Sequence, residues 1–120
     1  MKFVYNILKI LLLSSIVSVA QAHSDLARSQ PSANELLESS PEELVLTFSG
    51  RSRLVGLALI DEQGEPLDIG FKPSITERVT FKVPLVDALL PGVYSVNWAI
   101  LGEDGHRITG SILFGVDDSQ

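Results

Sequence analysis

LLPGVYSVNWAI, residues 89–100, is the stretch that decides the fold. The Pro-Gly pair at 91–92 marks a turn, and Tyr94, Val96, Trp98 and Ile100 then recur at every second position. Apolar residues at that period line one face of a half-buried β-strand, and Asn97 falls on the other face. Aromatic side chains in the middle of such a strand belong to a core, because burying them removes large apolar areas from water. Tyr94 and Trp98 are therefore assigned structural roles.

The same period appears on either side. LVLTFS (44–49) sets Leu44, Leu46 and Phe48 against Val45, Thr47 and Ser49. RLVGLALID (53–61) reads as a second strand, separated from the first by a solvated turn at GRSR (50–53) and ended by the turn DEQGEP (61–66). VTFKV (79–83) alternates Val79, Phe81 and Val83 with Thr80 and Lys82. RITGSILFGV (107–116) reads as a last strand with Ile108, Ser111, Leu113 and Gly115, disrupted at Gly110. Before all of these lies a polar stretch in which Pro31 and Pro41 confine ANELLES (33–39) to a helical turn or two. Short strands, turn signals between them and no long helix predict an all-β fold, an antiparallel β-sandwich. Tyr94, just after its turn, resembles the tyrosine corner of immunoglobulin-like sandwiches, whose hydroxyl bonds back to nearby backbone.

The amino end reads as a targeting segment. Lys2 and Lys9 supply positive charge, Ile10–Val19 is apolar apart from serines, and Ala20 and Ala22 fill the small-residue positions of a cleavage site. An apolar run of about ten residues is short for a helix crossing a hydrocarbon core of about 30 Å. Residues 1–22 are thus expected to be a signal peptide cut after Ala22, leaving 23–120 as one exported domain. That portion keeps seven of the nine basic residues and all 15 acidic ones, a net charge of −8. Such a charge repels nucleic-acid phosphates and favours solubility. The chain has no cysteine, so thiolate catalysis and thiolate metal sites are excluded. It also lacks a GxSxG elbow and a Walker lysine.

What remains is a pair of histidines. VSVAQAHS (17–24) places His23 directly after the expected cut, and His106 sits in the turn Glu103-Asp104-Gly105-His106. Cleavage would free the α-amine of His23, which together with its own Nδ1 can chelate one metal ion. Amine and imidazole nitrogens suit Cu(II), which favours tetragonal nitrogen and oxygen sites and heads the divalent affinity series. His106 and the Asp104 carboxylate would complete three nitrogens and one oxygen. Gly105 allows the bend that lets Asp104 and His106 converge. Each feature has a plain alternative: Asp-Gly is a common hairpin turn, and a first-position histidine can be incidental.

The chain also resembles a known family. The start AHSDLARSQPSANELL (22–37), the strand LVLTFS and the closing block YSVNWAILGEDGHRITGSILFGV (94–116) are similar, in order, to the CopC family of periplasmic copper-binding proteins. The resemblance implies a Greek-key, immunoglobulin-like β-sandwich or barrel and a Cu(II) site made by His23 (amine and imidazole), Asp104 and His106. It further implies a role in copper homeostasis or resistance as a periplasmic carrier or buffer, not an enzyme, and a link to an inner-membrane CopD-like permease. The mature form is expected to be a soluble monomer. Some members carry a methionine-rich Cu(I) loop; here the single methionine is Met1, so no such site is expected. Asn34 stands where many members have glycine, and asparagine tolerates the left-handed conformation. The rival class is an oxidative copper enzyme of histidine-brace type, which needs an equatorial position left open where Asp104 would bind. A metal-free binding sandwich is a third class.

Overall fold

The computed structural model describes residues 26–118, and among these there is no helix. Seven strands follow in chain order: β1 (Leu26–Gln30), β2 (Leu36–Leu37), β3 (Glu43–Ile60), β4 (Pro66–Leu67), β5 (Arg78–Pro84), β6 (Gly92–Gly102) and β7 (Arg107–Val116). The strand order runs β1-β3-β6-β7-β2, with β4 and β5 also paired to β3. All pairings are antiparallel except β2 with β7. The all-β sandwich expected from the alternating segments, and implied by the family resemblance, is the fold observed.

The two strands expected at 44–49 and 53–61 are one strand of 18 residues. GRSR does not end the strand: the pairing partners change across an irregularity there, where the five β3 positions from Thr47 to Ser52 stand against two of β5, Thr80 to Arg78, and β3 bends. The first half of β3 pairs with β1 and β5, the second half with β6 and β4. A bulge at Val55 resets the alternation, so that Leu54 and Leu57 both reach the interior side. Leu44 and Leu59 share one buried cluster with Tyr94, Val96, Phe114 and Val116. Leu46, Phe48 and Leu54 share the other with Phe81, Trp98 and Ile100. β3 therefore doubles back across the core and belongs to both layers.

Within the second cluster the Phe48 ring meets Phe81 and Trp98 edge-on, at centroid distances of 6.0 and 6.3 Å. In the first, Tyr94 stacks on Phe114 at 5.6 Å, and its hydroxyl donates to the Leu90 carbonyl. The tyrosine corner is thus present. Two local expectations fail. ANELLES does not coil: Leu36–Leu37 run parallel to Gly115–Val116, because bonds such as Gly115 N to Glu35 O (2.8 Å) hold the segment against β7. In β7 the interior phase is Ile108, Gly110, Ile112, Phe114 and Val116, unbroken at Gly110, which pairs opposite Trp98. Asn34 takes the left-handed conformation, with φ of 65°.

Candidate metal centre

β6 and β7 separate beyond the pair Leu101–Arg107, and Gly102–His106 close the hairpin. Gly102 N donates to His106 O at 3.0 Å and Gly105 N to Gly102 O at 2.9 Å. Gly105 has a φ of 80°, a conformation in which a side chain would be strained. This tight closure brings Asp104 against His106. Asp104 Oδ1 accepts the His106 backbone N–H at 3.0 Å, and Oδ2 lies 2.6 Å from His106 Nδ1. Sequence spacing explains the contact: an aspartate two residues before a bent backbone reaches the following N–H as an Asx turn.

The electrostatics follow from that clasp. The hydrogen bond to Asp104, and then the carboxylate's charge, raise the His106 pKa above its ordinary 6.5. The same hydrogen bond and the backbone N–H hold the Asp104 carboxyl below its ordinary 3.8. Both side chains are open to solvent, 66% exposed for Asp104 and 82% for His106. With Nδ1 engaged by the carboxylate, His106 presents Nε2 outward as the nitrogen available to a metal. Each Asp104 oxygen keeps a second lone pair. Among the described residues no three His, Cys, Asp or Glu side chains gather at one point, so the hairpin by itself supplies two donors. His23, the third expected site residue, lies outside the described residues, as does the expected signal peptide.

The register of β3 tells where β1 begins relative to this hairpin. Thr47 lies between Arg28 of β1 and Thr80 of β5, which therefore occupy opposite edges. Ser52 lies between Arg78 of β5 and Gly102 of β6. Since β5 keeps one edge at both points, β1 and β6 share the other in succession. β1 starts at Leu26, opposite Phe48, so its first residue is four β3 positions from the one that pairs with the foot of the hairpin. Sequence alternation gave no hint of this shared edge, because it depends on which neighbours β3 selects. Trp98, by contrast, sits where expected, 3% exposed in the core, with its Nε1 lacking a partner among the described residues.

The fold recurs in known proteins. The crystal structure of CopC from Methylosinus trichosporium OB3b superposes with a TM-score of 0.67, covering 82% of this chain and 97% of that one at 24% identity, a likeness of fold. PcoC, a methionine-rich copper resistance protein from Escherichia coli, superposes with a TM-score of 0.62 at 27% identity, covering 80% of this chain and all of that one. Protein YobA of Escherichia coli (strain K12) is 30% identical over 112 residues, 91% of this chain and 90% of YobA. The CopC domain model matches residues 26–117, from the first residue of β1 to just past β7. A match that takes in every strand and the Asp104–His106 hairpin leaves one assignment: the chain belongs to the CopC family.

Proposed function

We propose that this protein is a periplasmic Cu(II)-binding carrier or buffer, working in copper homeostasis or resistance, with no turnover of its own. Copper is its cargo. The ligands are the α-amine and imidazole of His23, freed by cleavage after Ala22, the imidazole of His106 and the carboxylate of Asp104. The observation that carries this reading is the shared edge of β3, which starts β1 beside the foot of the Asp104–His106 hairpin. Three residues, from His23 to Leu26, span at most about 10 Å when extended, enough to bridge most of four strand positions. Family membership supports the cargo: PcoC, which matches across its whole length, is a copper resistance protein. Unlike a methionine-rich relative, this chain has its single methionine at position 1, which supports a site for Cu(II) alone.

Asp104 acts twice in this scheme. It orients His106 through Nδ1, fixing the ring so that Nε2 faces outward, and it offers an oxygen lone pair of its own. Binding must displace protons from the amine and from both imidazoles, so uptake weakens as pH falls. A CopD-like inner-membrane permease is the expected recipient or donor of the ion.

The test compares the chain beginning at His23 with one carrying an added alanine before it. Cu(II) titration is followed by intact mass and by quenching of Trp98 fluorescence. Displacing the amine from its chelate should weaken binding by about a hundredfold or more, since losing even an outer-shell partner costs 10–100-fold. Equal affinity of the two chains would remove His23 from the ligand set. Sustained peroxide formation with ascorbate would replace the carrier by an oxidative enzyme.

A further inference from the structure

At the end of the sandwich away from the hairpin, segments 61–69 and 85–94 face one another across a cavity of about 520 Å³. Its walls are apolar, formed by Leu67, Ile69, Leu85 and Leu89, with Tyr94 behind them. Its rim carries Asp61, Glu62, Asp68 and Asp87, and no Lys, Arg or His lines it. Neither of the ion pairs Arg51–Glu77 and Asp104–His106 involves a carboxylate of this rim. The Tyr94 hydroxyl senses the field: burial, and then the charges of Asp61 and Glu62, raise its pKa.

Both walls are set in advance. Leu85 N donates to Glu42 O at 2.9 Å, Leu89 N to Ser40 Oγ at 2.7 Å, and the Tyr94 hydroxyl to Leu90 O. Across the cavity Glu62 Oε1 accepts the Val93 N–H at 2.8 Å, and Asp61 Oδ1 accepts from Gln63 and Glu65. These bonds organise the turns and leave the carboxylate charges in place. Beside them, Val86 is 86% exposed, Leu90 77% and Val93 46%. A single exposed apolar residue is ordinary, but three at one acidic rim mark an interaction surface.

We propose that this groove docks a basic amphipathic segment of a partner protein, its apolar side chains in the cavity and its Lys or Arg side chains against the four carboxylates. Val86, Leu90 and Val93 line the cavity yet stay largely open to water, so the apolar surface continues out onto the rim, where a segment lying across it would cover them. The rim's negative charge selects the sign of the partner. This site goes beyond the metal reading and does not depend on it.

The test is amide NMR of the exported protein titrated with a short synthetic peptide alternating lysine and leucine. Shifts confined to 61–69 and 85–94, and affinity that falls as salt is raised, are expected. The variant Asp61→Asn/Glu62→Gln/Asp68→Asn/Asp87→Asn keeps every oxygen acceptor and should bind about tenfold more weakly or worse, from four lost pairs. Val86→Ser/Leu90→Ser should also lose about tenfold, with its salt dependence kept. An unchanged near-UV signal from Trp98 certifies the fold of both variants. A glutamate-leucine peptide should not bind. Shifts centred on 102–106 or scattered over the acidic surface, equal affinity of the amide variant, or lysine amide alone binding as well as the peptide would overturn the proposal.

Discussion

Tyr94→Phe isolates one hydrogen bond. The ring is 5% exposed and stacks on Phe114, and phenylalanine keeps both the burial and the stack. What disappears is the bond from the hydroxyl to Leu90 O. A neutral hydrogen bond contributes a net of about 0.5–1.5 kcal/mol, and leaving a buried acceptor unpaired would cost more. Leu90 lies in an exposed loop, so its carbonyl can turn to water, and the expected loss is about 1 kcal/mol. For a domain of this size that lowers Tm by about 4–8 °C. Thermal unfolding followed by circular dichroism, without metal so that binding adds nothing, gives the number. Hydrogen exchange should quicken across 85–91, the wall the hydroxyl anchors, while Cu(II) affinity stays unchanged because Tyr94 lies in the cluster away from the hairpin. A Tm within about 1 °C of the parent would refute the assignment of Tyr94 to a tyrosine corner. A fall in copper affinity would refute its separation from the proposed metal centre.

The other expectations concern charge and packing. NMR titration of the metal-free chain should place His106 above 6.5, and Asp104→Asn should bring it back toward that value. With the His106 pKa raised, the clasp stabilises the hairpin fully below pH 6.5 and less as pH rises through the folded value; with that of Asp104 lowered, the contribution is also lost as pH falls through its folded value. Hairpin order should thus be greatest in mildly acidic solution, read from exchange of the Gly102 and Gly105 amides. Tyr94 is the only tyrosine after residue 22, so absorbance at alkaline pH reports it alone, and its midpoint should lie above 10. The raised value means its contribution is complete below pH 10 and lost as pH rises through the folded pKa. Phe48→Ala, which empties the edge-on contacts with Phe81 and Trp98, should cost about 3–5 kcal/mol in chemical denaturation; a cost below about 1 kcal/mol would place Phe48 outside the core.

Much of the fold was legible because burial on one face of a sheet imposes period two. Leu44, Leu46 and Phe48, then Tyr94 to Ile100, announced themselves this way, and the Pro91-Gly92 turn before Tyr94 pointed to the corner. The hairpin was legible from Asp104-Gly105-His106, since a short carboxylate and a glycine impose a local turn without tertiary help. What escaped depended on partners distant in sequence. Ser49–Arg53 look like a loop because they are polar, yet they lie within β3, and Ser52 is buried and paired on both edges, with Arg78 and Gly102. Leu36–Leu37 carry helix-forming neighbours, but β7 offers backbone bonds that a helix would forgo. Gly110 looked like an interruption of β7 because glycine carries no hydrophobic label; across from Trp98 it is an interior position. The acidic groove escaped for the same reason, its two walls being brought together only by the fold.

The succession of β1 and β6 along one edge of β3 also governs how the molecule should be handled. On the proposed ligand set, an affinity handle fused directly before His23 would remove the free α-amine from the site. The carboxyl end leaves from Val116, paired with Gly92 and beside Leu37, at the far end of the sandwich. Tethered there to a sensor surface, the protein presents Asp104 and His106 outward to whatever is passed over it.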